Sequence, residues 1–199
     1  YESVIHEYIT CDHYSTEEDL KDIIYQCTTE GNRSKDPDKY KKDAEILENA
    51  LEGSGHLKPR YLFYLAQSYR DFGNIEKAIE YYKKRIEIGG WFEEIFYSYY
   101  QIGCLTNDPE YWLKAYEYRS CRVEPLLRLG RYYRLKGDYN ISKLYLTEAV
   151  KKEIPNDSLF LESSYYEWEC LDELSVSSYW SNDIELAAKC FDLLSNRKI

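Results

Sequence analysis

The chain of 199 residues sets 26 Lys and Arg against 36 Asp and Glu, a formal net charge of -10, the wrong sign for affinity built on nucleic-acid phosphates. No apolar run approaches the roughly 18 residues that a membrane span needs, and no basic-then-apolar leader opens the sequence. With 23 Tyr and no Met at all, the sequence is expected to be a piece cut from a longer product.

The front differs from the rest. "SVIHEYI" alternates in the manner of a strand, and "DIIYQCT" is a short β-branched and aromatic run that also suits one. "TTEGNRSKDPDK" then collects Gly, Asn, Ser, Asp and Pro, the punctuation of a loop. In "PDKYKKDAEILENAL" an amphipathic helix is predicted, with Asp36 able to cap it, Pro37 in its first turn, and Ala44, Leu47 and Leu51 packing on the first helical repeat. Two strands cannot fold alone, so residues 1–28 call for a sheet outside this sequence. Residues 29–57 read as a loop and linking helix.

From residue 58 to 199 the chain is predicted to be mainly α, an array of helical hairpins. In "RYLFYLAQSYRDFGNIEKAIEYYKKR" two helical patterns flank Gly73, which supplies a turn conformation that other residues resist. Leu62, Leu65, Ala66, Tyr69, Gly73, Ala78 and Tyr82 fall on consensus positions, so the stretch resembles a tetratricopeptide repeat, with Arg85 where a small residue is usual. "EPLLRLGRYYRLKGDYNISKLYLTEAV" repeats the pattern through Gly130, Tyr133, Gly137 and Ala149, with Ser142 in place of alanine and Pro155 expected to end the helix. Between them, "WFEEIFYSYYQIGCLTNDPEYWLKAYEYRS" is a degenerate repeat turning at "NDPE" and carrying Ala115. "SSYYEWECLDELSVSSYWSNDIELAAKCFDLL" predicts a long helix, a break over 181–183 and a last helix with Ala187 at the close-packing position. Four helix pairs suffice for the three or so repeats that such arrays need.

The collinear order of "HEY", "GNRSKDPDKYKKDAEILENAL", the repeats and "LDELSVSSYW" resembles the C-terminal half of family 2 glycosyltransferases that carry tetratricopeptide-like repeats, of a bacterial and giant-virus type. The resemblance implies that residues 1–28 are the C-terminal edge of a GT-A catalytic domain. A D-x-D motif upstream would hold a divalent metal, Mg or Mn, and through it a nucleotide-sugar donor. It implies transfer of a sugar to an unknown acceptor, with the repeats serving acceptor binding or assembly. His6 would then be the residue able to reach metal or diphosphate, with Glu7 orienting it or the acceptor; alternatively the two only tie down the sheet edge. In "GNRSKDP", Arg33 either clamps a diphosphate or braces the loop. Relatives commonly carry His where Gln26 and Cys27 stand. By itself the segment is expected to transfer no sugar.

The other function class is a non-catalytic adaptor that binds protein or peptide partners or self-associates through its repeats. Projecting the repeat consensus places Arg60, Gln67 and Arg70 on the groove face in one copy, and Arg131 and Arg134 in another. These form either a positive, tyrosine-flanked groove or ordinary ion pairs with acidic neighbours. Tyr64, Tyr81, Tyr97, Tyr99, Tyr100 and Tyr116 read as inter-helix packing. Cys11, Cys27, Cys104, Cys121, Cys170 and Cys190 show no C-x-x-C pair and no zinc spacing, so reduced thiols in a cytoplasmic setting are expected.

Overall fold

The computed structural model describes residues 2–8 and 35–196, which fall in two compact units, Tyr1–Ile88 and Gly89–Ile199. The first unit contains α1 (Lys39–Leu51), a 3-10 turn (Gly55–Leu57), α2 (Lys58–Phe72) and α3 (Ile75–Ile88). The second contains α4 (Phe92–Thr106), α5 (Pro109–Tyr118), α6 (Glu124–Leu135), α7 (Tyr139–Ala149), a π-helical turn (Tyr165–Glu169), α8 (Cys170–Trp180) and α9 (Ile184–Ser195). The helices pair as α2/α3, α4/α5, α6/α7 and α8/α9.

One device makes all four hairpins. At the end of α2, Gly73 adopts φ 89° and donates to the Arg70 carbonyl at 3.0 Å, while the next N–H, of Asn74, donates to the Tyr69 carbonyl at 2.8 Å. This is the Schellman arrangement, which satisfies carbonyls that the helix end leaves bare. It recurs at Asn107 (Asp108 to Gly103, 3.2 Å), Gly137 (Asp138 to Tyr133, 2.9 Å) and Asn182 (Asp183 to Ser178, 2.9 Å). The position that tolerates positive φ is Gly or Asn each time, as the sterics of that region require. The residue after it then starts the next helix: side-chain oxygens of Asn74, Asp108 and Asp183 accept from the N–H groups of Lys77, Glu110 and Leu186. Asp138 stands at the same place without a side-chain cap.

Small residues set how closely each pair approaches. Ala66 and Ala78 are fully buried where α2 meets α3, and Leu62, Leu65, Tyr69 and Tyr82 close around them. α1 packs on α2 with Ala44 and Leu47 buried; its N-cap is Asp38, without a side-chain cap, rather than the expected Asp36, which accepts the Asp38 N–H at 3.0 Å in the turn ahead of the helix. In the second unit, Gly103 leaves room for the Trp112 ring and Gly130 for Leu146. Phe96, Tyr100, Trp112, Ala115 and Leu129 form one apolar cluster; Leu126, Leu127, Leu146, Ala149, Leu171 and Leu174 belong to another. Ser142, standing for the usual alanine, is fully buried, donates to the Gly130 carbonyl at 2.7 Å and meets the Ser177 hydroxyl on α8 at 2.8 Å. A buried hydroxyl is tolerated only when so satisfied.

Three expectations need correction. Residues 2–8 are not a strand: a single antiparallel bridge joins Glu2 to Tyr8, and positive φ at Ser3 (87°) and His6 (53°) folds the segment back on itself. No other β-bridge occurs among the described residues; "DIIYQCT" lies outside them. α7 stops at Ala149, well before Pro155, and 150–162 is an irregular connection. The last long helix begins at 163–164 but is π-helical over Tyr165–Glu169 before it continues as α8, rather than being regular α-helix throughout. No helix among the described residues is long and apolar enough to cross a membrane.

Candidate functional site

In the first unit, residues 60, 64 and 67 follow helical spacing along α2 and share a face. Segment 2–8 sits on its N-terminal part. The Arg60 guanidinium lies 4.6 Å from the Tyr8 ring and 4.8 Å from the Tyr64 ring, and it donates to the backbone carbonyl of His6 at 2.7 Å. The His6 ring stacks on Tyr64 with centroids 4.1 Å apart. Glu2 accepts from the Tyr8 hydroxyl at 2.9 Å and lies 3.0 Å from His56. Glu7 is exposed on the same segment. The structure thus brings His6 to Arg60 rather than to a cluster of ligands.

Farther along α2, Gln67 is buried, and its amide nitrogen has no hydrogen-bond partner among the described residues. Arg70 donates to Asp71 at 2.7 Å and to the Tyr82 hydroxyl at 3.4 Å. On the other side, Lys77 links Glu48 (3.0 Å) and the Tyr69 hydroxyl (2.8 Å), and the Tyr81 hydroxyl also donates to Glu48. Burial, then that bond to the Glu48 carboxylate, pushes the Tyr81 hydroxyl up to about 12.

The second unit pairs its basic residues. Arg131 meets Glu169 at 2.5 Å and Glu173 at 2.8 Å; Arg134 meets Glu173 at 2.5 Å. Arg128 donates to the Tyr100 hydroxyl at 3.0 Å and that of Tyr165 at 3.2 Å. Here α6 is joined to the π-helical turn and α8 by ion pairs, so Arg131 and Arg134 carry little uncompensated charge. Arg33, Gln26 and Cys27 lie outside the described residues.

Sequence reasoning missed a second arrangement. The connection 150–162 turns back as a strap whose backbone is gripped by charged side chains. Glu93, in the first turn of α4, accepts from the N–H groups of Ser158 (2.9 Å) and Leu159 (2.7 Å). Arg122 donates to the carbonyls of Leu159 (3.2 Å) and Phe160 (2.9 Å). It also forms a bidentate pair with Glu124, at 2.9 and 2.7 Å, and reaches Asp157, which Arg119 holds from the other side. The strap's Phe160 packs on Tyr97 of α4, ring centroids 4.6 Å apart. The Arg122, Glu124 and Asp157 side chains are each only 1 % exposed, which makes the pairing obligatory. Arg119, then Arg122, hold the Asp157 carboxyl below the usual range against the opposing effect of burial. Burial works against the Arg122 charge, but the Glu124 carboxylate outweighs it and raises the guanidinium's affinity for its proton. The motif "RSCRVE" places the charges in sequence, but nothing there points to a partner beyond residue 150.

Among the described residues no three His, Cys, Asp or Glu side chains are grouped to hold a metal; the carboxylates that the glycosyltransferase resemblance implies for a divalent ion would stand upstream of this sequence. Cys104, Cys121, Cys170 and Cys190 are free thiols, and burial pushes that of Cys170 up to about 12, which keeps it protonated and a poor nucleophile.

Helical hairpins, small residues at their crossings and a shared turn define a helical-repeat architecture. Residues 59–88, which contain α2 and α3, match the family model of the tetratricopeptide repeat. No curated protein matches the chain significantly.

Proposed function

We propose that this chain is an interaction module that holds an extended segment of a protein partner on the faces of its hairpins' first helices. The observation that carries the proposal is the way such faces hold the chain's own segments. Arg60 on α2 takes the His6 carbonyl and Glu93 on α4 two N–H groups of the strap, while Arg122, in the turn just before α6, takes two of the strap's carbonyls. Contacts aimed at the backbone do not read side-chain identity, so the same chemistry serves a partner's peptide. Arg70 on α2 extends such a surface beyond segment 2–8. Repeats of this kind commonly mediate protein interactions through the same helix faces, and the match over 59–88 adds weight. The glycosyltransferase reading, with His6, Glu7 and Arg33 near a donor and the repeats near an acceptor, rests on the resemblance alone.

Selection of a random peptide library on the immobilised chain tests the proposal. Enriched peptides should bind reversibly, and Arg70→Glu should weaken them by ten-fold or more while the helical circular dichroism at the binding temperature stays unchanged. No enrichment, or equal binding to Arg70→Glu, would overturn it. Saturable binding of UDP-glucose with Mn(II) by calorimetry would instead favour the enzyme.

A further inference from the structure

In the second unit Arg119, Arg122, Arg131 and Arg134 each end on a carboxylate of the strap, the turn before α6 or the next hairpin. Arg128 does not. It stands on α6 one turn after Glu124 and one turn before Arg131, on the same side of the helix. Yet its partners among the described residues are two phenols: Nε donates to the Tyr100 oxygen at 3.0 Å and Nη2 to the Tyr165 oxygen at 3.2 Å. Glu169, a carboxylate near enough to feel the Arg128 charge, is already held by Arg131 at 2.5 Å and by the Ser164 hydroxyl at 2.6 Å. Arg128, Arg131 and Arg134 thus share Glu169 and Glu173, one negative charge short of balance.

The two phenols sharpen what is missing. Each accepts a hydrogen bond from the guanidinium, and neither donates its own proton to a described residue. Burial raises the Tyr100 pKa well above its ordinary value against the pull of Arg128, so this hydroxyl keeps its proton. Tyr100 and Tyr165 are 4 % and 8 % exposed, so packing fixes where their oxygens stand. Arg128 itself is half-buried and meets solvent, and its Nη1 has no partner among the described residues. The site therefore offers only donors, a guanidinium edge and two hydroxyl protons, and donors left without an acceptor are costly. A carboxylate supplies both the acceptor oxygens and the charge, as Glu124 does in its bidentate pair with Arg122. One turn away on α6, Glu124 also accepts from the Glu162 N–H of the strap's end at 3.4 Å, so a segment laid beside the strap passes Arg128.

We propose that Arg128, Tyr100 and Tyr165 form the anchor for one Asp or Glu side chain of the captured segment. This deepens the interaction-module reading and rests on it: backbone contacts accept any sequence, and the anchor selects an acidic residue at one position. It also distinguishes the partner from a uniformly basic peptide, which the net charge of -10 alone would favour.

Selection of a random peptide library with blocked C-termini on the immobilised full chain, with subtraction on Arg128→Gln, tests the proposal. Peptides that survive subtraction should carry Asp or Glu at one fixed position. Exchanging that residue for its amide should weaken binding to the wild type by about ten-fold or more, the scale of a lost charge-assisted pair, and should hardly alter binding to Arg128→Gln. Tyr165→Phe, which keeps the ring and removes one hydroxyl, should weaken the acidic peptide more than its amide form. Circular dichroism at the binding temperature checks that Arg128→Gln is folded; if it is not, Tyr165→Phe serves for the subtraction. Enriched peptides without an acidic position, an amide exchange without effect, or the same loss on Arg128→Gln as on the wild type would each overturn the anchor and leave the interaction module standing. No enrichment on the wild type would overturn both.

Discussion

Two glycines carry close packing that no other residue would allow. A Cβ on Gly103 would lie 2.6 Å from the Trp112 ring, and one on Gly130 would lie 2.5 Å from the Leu146 branch carbon. In both cases the obstacle is the body of a buried side chain rather than a free end. Overpacking of this kind costs about 1–3 kcal/mol. Gly103→Ala and Gly130→Ala should each destabilise the chain by that amount in urea unfolding, with the rigid indole making Gly103 the costlier site. Single residues were legible in the sequence where backbone or volume forces the residue type, as at Gly73, Ala66, Ala78 and Gly130. Arg131 and Arg134 were legible only as two alternatives, a positive groove or ion pairs with acidic neighbours; the ion pairs form, but their partners Glu169 and Glu173 depend on how the next hairpin stacks, which no local pattern encodes.

The four turns show why the hairpins could be placed from sequence. Each needs a Gly or Asn that accepts positive φ and, directly after it, an Asn or Asp, and these requirements are local. The strap 150–162 is the opposite case, because its conformation is set by Glu93, Arg119, Arg122 and Glu124, far away in sequence. Removing one grip should free it. Glu93→Ala should speed proteolytic cleavage within 155–162 several-fold while leaving the helical circular dichroism unchanged; cleavage at the wild-type rate would show that Glu93 holds nothing. The strap should also respond to acid. Arg119 and Arg122 depress the Asp157 pKa, so its contribution is complete above the unfolded value of about 3.9 and is lost as pH falls through the lower folded value. Melting temperature should therefore drop below about pH 4. Asp157→Asn should flatten that acid limb and lower stability near neutral pH, and an unchanged profile would show that Asp157 does not anchor the strap.

Over the whole molecule, helical hairpins were readable because apolar periodicity, small residues and turn chemistry agree along the chain. The division between Ile88 and Gly89 was not, since the Gly89-Gly90 step reads like any other loop. The front misled for a related reason. Alternation in "SVIHEYI" signals a strand only if a neighbouring strand exists, and residues 2–8 instead close on themselves against Arg60 and Tyr64. What unites the two units is that each holds a non-helical stretch of its own chain through side-chain contacts to the backbone. Hydrogen–deuterium exchange of the full chain, with and without a saturating library-selected peptide, tests most directly whether the same faces hold a partner. Slowed exchange is expected in 58–72, or in 92–106 and 124–135, with altered exchange in the segment displaced there. Slowed exchange confined to 75–88, 109–118 and 139–149, the second helices, would contradict peptide capture on the first.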